Sequence, residues 1–79
     1  MNFAFFEQQM DRLAGLKFRP PSLQSHWEAC RDLDEPVFQE AIGEALDQVS
    51  EFPAPKMLKV FAERVRGMGV RAAELLAAT

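Results

Sequence analysis

The chain has no tyrosine, one histidine, one cysteine and one tryptophan in 79 residues, and these scarcities exclude most kinds of site chemistry. A lone Cys30 forms no disulfide framework and no cysteine-based zinc site. With His26 one helical turn away it offers two ligands, short of the zinc complement. Cysteine this sparse points to a reducing, cytosolic setting. Glycine is scarce too, and Gly67-Met68-Gly69 lacks the Lys-Ser/Thr ending and the preceding strand of a phosphate-binding loop. No apolar run approaches the ~20 residues that cross a bilayer. The start, MNFAFFEQQMDRL, has neither the basic n-region nor the small-residue cleavage site of a secretory signal. The expectation is a non-enzymatic, cytosolic chain with no metal, no cofactor and no membrane association.

What is present is an ordinary globular balance, 48% hydrophobic and 27% charged. A chain this short makes one domain at most, with a stability margin of a few kcal/mol. The net charge of -3 conceals an asymmetry. Residues 1–51 carry four basic against ten acidic side chains, a balance of -6. Residues 52–79 carry five basic against two acidic, a balance of +3.

Apolar spacing of three and four residues runs throughout, so the fold class expected is all-α, a small bundle of four short helices, or five if the tail folds. Asn2 suits an N-cap for a first helix over Phe3 to Leu16, with Phe3, Phe6, Met10, Leu13 and Ala14 on its apolar face. Two prolines cannot continue a helix, so Phe18 to Pro21 is a connector. Ser22 can cap a second helix to about Asp32, with Leu23, Trp27, Cys30 and Leu33 inward and His26 at the edge. Ser25 and Glu28 fit a capping box as an alternative start. Asp34-Glu35-Pro36 opens a third helix to about Ser50, with Phe38, Ile42, Ala45, Leu46 and Val49 buried. Phe52 should plug the end of the core, and Pro55 begins a fourth helix to about Arg66 using Leu58, Phe61, Ala62 and Val65. Gly67 and Gly69 read as a C-cap and hinge. This divides the chain into a helical core over 1–66 and a hinge with a helical or flexible tail over 67–79.

Glu40, Glu44, Asp47 and Glu51 share the outer side of the third helix and form a candidate secondary acidic surface for a basic partner. Lys59 and Arg66 flank Glu63 on the fourth helix, at spacings that let the carboxylate absorb both charges. Phe5 and Leu16 lie off the main face of helix one. Either the tail residues Val70, Leu75 and Leu76 fold back onto them, or these groups stay exposed for another protein.

A plan emerges from particular residues. Trp27 stands in the second helix after a proline connector, and Asp32-Leu33-Asp34 makes a tight turn. Val37, Ala41, Ala45 and Leu46 follow, and Phe52-Pro53-Ala54-Pro55 opens another helix. Over Phe6 to Arg66 this plan resembles the replicative helicase loader/inhibitor proteins of bacteriophages and similar prophage replication accessory proteins. The resemblance implies an adapter in the cytosol of a bacterial host, with a helical N-terminal part and a C-terminal part that engages a hexameric replicative helicase. Such proteins restrain the helicase ATPase and deliver the enzyme to an origin-bound initiator. By position, helicase contact falls on Gly67 to Thr79 and the helix before it. Arg64, Arg66, Met68, Val70, Arg71, Leu75 and Leu76 are then the candidate partner-binding residues. Two other readings stay open. One is a DNA-binding or transcription-modulating module using the face from Lys56 to Arg71. The other is a small self-associating structural protein, with Phe5, Leu16 and the tail at a symmetric interface; the state expected is monomer or weak homodimer.

Overall fold

Asn2 starts the first helix as its sequence suggests. In the computed structural model, which describes the backbone of residues 1–78 and the side chains of residues 1–67, its Oδ1 accepts from the N–H groups of Ala4 at 2.7 Å and Phe5 at 3.4 Å. Helix α1 spans Phe3–Asp11, shorter than expected. From Arg12 the backbone bonds tighten to three-residue spacing (Arg12 to Gln9, Leu13 to Met10, Ala14 to Asp11), so the chain turns before Leu16. Leu13 is nonetheless fully buried, whereas Phe3 and Ala14, also expected on the apolar face, are exposed.

Helix α2 spans Gln24–Cys30. The Ser22 hydroxyl accepts from the Gln24 N–H at 3.2 Å, just ahead of the helix. The Ser25–Glu28 box does not form, because the Glu28 carboxylate accepts from the Gln24 amide at 3.1 Å instead. Helix α3 spans Glu35–Gln48, with Pro36 in the first turn and Glu35 at the positive end of the helix. It ends where Val49 turns extended, ahead of Ser50. Helix α4 spans Pro55–Ala78 without interruption. The stop expected at Gly67 and Gly69 is therefore absent: among the described residues no glycine takes the positive φ that a left-handed cap needs. Glycine in a helix interior costs about 1 kcal/mol relative to alanine, and the alanine, leucine and arginine around this pair offset it. The result is four helices and, among the described residues, no strand.

Helix α3 packs most extensively on α4; α4 also meets α2, and α1 meets α3. Phe6 and Phe38 are buried, their ring centroids 5.6 Å apart, and Trp27 closes on Phe6 at 5.2 Å and edge-on to Phe3 at 5.0 Å. Met10, Leu13, Cys30, Leu33, Ile42, Leu58 and Phe61 are buried as expected, Leu23, Trp27, Val49 and Val65 are only half-buried, and Phe52 plugs the core from the α3–α4 connector. Leu46 departs from expectation, being exposed. The buried stripe centres between Ala41 and Ala45, which turns Leu46 about a quarter of the circumference away. Phe5 and Leu16 are half-buried against the core, so they are not spare groups awaiting a partner.

Two connections hold the periphery. The Met1 ammonium donates to the Arg31 carbonyl at 3.0 Å, and the Asn2 N–H to the Glu35 carboxylate at 3.3 Å, which fastens the start of the chain to the α2–α3 turn. The segment after α1 meets the α3–α4 connector in a single parallel bridge between Lys17 and Glu51, where the Phe52 N–H donates to the Lys17 carbonyl at 2.7 Å. Helix α4, 24 residues and about 36 Å long at 1.5 Å per residue, exceeds the 25 × 18 Å cross-section and so lies along the 48 Å long axis.

Candidate interaction surfaces

Helix α3 carries Glu35, Glu40, Glu44 and Asp47 and no basic residue. Glu40, Glu44 and Asp47 line one wall of an open groove of about 670 Å³, with Pro36, Gln39 and Leu46. Arg12 reaches across from the end of α1. Its Nη1 donates to the Gln9 side chain at 2.8 Å and to the Gln39 carbonyl at 3.4 Å. Gly43 leaves room there: a Cβ at this position would stand 3.7 Å from the Arg12 guanidinium. No carboxylate of the groove lies within ion-pair distance of Arg12, and Glu44 accepts from the Gln48 amide at 3.1 Å. Glu51 does not join this surface. It sits beyond the end of α3, in the extended connector, beside Lys17. The expected stripe of four is thus a group of three in a groove and one apart, because the helix ends at Gln48.

On α4, Lys56, Lys59, Arg64 and Arg66 are exposed. The local pairing expected of Glu63 with Lys59 and Arg66 does not form; the ion pair found among the described residues is Arg19–Asp11 at 3.4 Å. Exposed Met57 and Val60 interrupt these cations on the outer side of the helix. Of the candidate partner-binding residues, Arg64 and Arg66 fall within this surface, whereas the side chains of Met68, Val70, Arg71, Leu75 and Leu76 lie outside the described residues.

The interior holds two polar groups. Burial pushes the Cys30 thiol up to about 11, against a smaller opposing pull from the Lys59 ammonium. A thiol held neutral in this way packs as a small hydrophobe. His26, expected at the edge of α2, is buried. Its Nε2 lies 2.8 Å from the Pro53 carbonyl, which can accept but never donate, so Nε2 carries the proton. Nδ1 has no partner, and the ring stands edge-on to Phe52 with centroids 5.4 Å apart. His26 and Cys30 both point into the core; among the described residues no three His, Cys, Asp or Glu side chains gather as metal ligands.

No family model, curated protein or solved structure matches this chain. Its surfaces therefore have to be read from their own physics. No described helix is long and apolar enough to cross a membrane. The functional surfaces owe much to residues that sequence reasoning passed over. Arg12 gave no signal, since its neighbours in the groove are more than twenty residues away. Gly43 did give one, as a glycine in the middle of a strongly helical segment. Phe18, exposed between two cations, was legible only as part of a proline connector.

Proposed function

We propose that the chain is a non-enzymatic adapter in phage-type DNA replication, one that binds a hexameric replicative helicase and regulates its loading or its ATPase. The observation that carries this reading is the build of α4. Leu58, Phe61 and Ala62 seat its first turns in the core, and the same helix continues past Gly67 to Ala78. A long helix seated by its first turns, with cations along its outer side, presents a handle to a protein partner. The residues behind the sequence resemblance serve the core: Trp27 lies in the aromatic cluster, and Phe52 and Pro53 are buried at the entrance to α4.

The test is co-elution of the full chain with the purified helicase of the same biological system, with and without nucleotide, alongside the ATPase rate. Binding that is lost when residues 67–79 are removed supports the adapter. No complex and no change in ATPase rate dismisses it. A second reading, a DNA-binding or transcription-modulating module, is favoured by the exposed cations Lys56, Lys59, Arg64 and Arg66, which pair with no carboxylate among the described residues. It requires retention on DNA at low salt that falls steeply as salt rises, because phosphate contacts release counterions.

A further inference from the structure

Phe18 is the oddest residue in the molecule. Its φ is 66°, in the left-handed region, and its side chain is 77% exposed. A bulky aromatic there is a genuine outlier, since glycine would take the same turn without a steric penalty. Among the described residues nothing repays the strain, because the ring packs on almost nothing.

Its surroundings give the ring a destination. Lys17, the preceding residue, accepts the Phe52 N–H at 2.7 Å and is bridged to Glu51, so Phe18 sits at the rim of the α3–α4 connector. That connector and the start of α4 form a second groove of about 470 Å³, lined by Val49, Glu51, Phe52, Pro53, Ala54 and Met57 among others. Met57 is 47% exposed. The chain thus carries a projecting ring and an apolar groove side by side, and its own ring does not fill its own groove.

A knob and a hole on one face are what a two-fold axis requires: the interface of a symmetric dimer is a single patch that must be complementary to itself. The charges obey the same condition. Lys17 and Glu51 flank the patch, and a two-fold rotation can set each against its opposite on the other copy. We propose that this face is a self-association site in which Phe18 of each copy enters the Val49–Met57 groove of the other. The inference is independent of the helicase reading and uses different residues. Lys17-Phe18-Arg19 also has the basic–aromatic–basic composition of a base-stacking contact. However, Asp11 sits 3.4 Å from Arg19 and Glu51 sits beside Lys17, which places carboxylates where phosphates would run.

The experiment is sedimentation equilibrium of the full chain over a wide concentration series, with urea unfolding of each variant at a dilution where it is monomeric. The wild type should pass from monomer to dimer as concentration rises. Phe18→Gly should stay monomeric over the same range while its unfolding midpoint holds or increases, because glycine accepts the left-handed φ freely. Met57→Lys, at an exposed wall of the groove, should weaken the dimer at least tenfold. Mixing the two variants should restore part of the association, since the mixed pair keeps one intact knob and one intact groove that meet. A wild type that is monomeric throughout overturns the proposal. So does a dimer that survives either substitution, or a mixture no more associated than its components. Binding of labelled single-stranded DNA that Phe18→Gly abolishes, without any dimer, assigns the ring to nucleic acid instead.

Discussion

Replacing His26 with alanine should cost a large part of the stability of this domain. Three effects combine. Deleting a buried ring leaves a cavity; the phenylalanine-to-alanine case costs about 3–5 kcal/mol, and the smaller imidazole falls toward the lower end. The buried Pro53 carbonyl loses its 2.8 Å donor, a penalty of about 1–3 kcal/mol for an orphaned acceptor. Against these, the unpartnered Nδ1 no longer has to be buried, a relief of similar size to the carbonyl penalty. The polar effects largely cancel and the cavity decides, so the expected net loss is about 3 kcal/mol. A domain of this length has a total of roughly 4–12 kcal/mol to lose. His26→Phe keeps the edge contact with Phe52 and exchanges both polar effects at once, so it should change stability by no more than about 1 kcal/mol. Urea unfolding followed by the fluorescence of Trp27, the next residue along α2 and the single tryptophan, reads both variants. A His26→Ala midpoint indistinguishable from wild type would refute the packing argument. Nitrogen shifts of the imidazole showing the proton on Nδ1 would refute the hydrogen bond to Pro53.

The other predictions concern different residues. Cys30 should react with a thiol reagent at pH 8 far more slowly in the native protein than in urea, because its neutral form is held by burial to about 11; equal rates would contradict the buried site. The linked stability effect has a definite sign. The folded thiol titrates above its ordinary value of 9.0, so its contribution is complete below pH 9 and is lost as pH rises toward 11. Cys30→Ala should therefore show a shallower alkaline decline in unfolding midpoint. Gly43→Ala should raise stability by about 0.5–1 kcal/mol through helix propensity, since the new methyl meets Arg12 at an ordinary 3.7 Å; calorimetry showing a lower melting temperature would mean that Arg12 cannot give way. Leu58→Ala, at a fully buried anchor of α4, should cost about 2–5 kcal/mol by urea unfolding, and a loss under 1 kcal/mol would show that α4 is not held through this residue.

The all-α class and most of the core were legible because three-and-four spacing encodes both directly. Phe6, Met10, Phe38, Ile42, Leu58 and Phe61 each fall where a single apolar stripe places them. Helix ends were harder to read. Asn2 signals its own cap through a local hydrogen bond, but α1 ends where the backbone tightens to three-residue bonds from Arg12, ahead of any glycine or proline that would announce it. Gly67 and Gly69 resemble a stop, and local propensity alone cannot say that the helix runs through them. Surface assembly was least accessible. The acidic group on α3 could be counted from sequence, yet its split into a groove and a separate Glu51 depends on where the helix ends. The union of Phe18 with the connector groove depends on a single bridge between residues thirty-four positions apart.

An unbroken α4 has a mechanical consequence. A helix is a stiff rod, and this one is gripped near one end by Leu58, Phe61 and Ala62. A tilt of about 10° at the grip would sweep the far end, about 24 Å beyond Ala62 at 1.5 Å per residue, through roughly 4 Å. Whatever takes hold of the distal turns therefore exerts leverage on the interior, and any loosening of the interior is magnified at the tip.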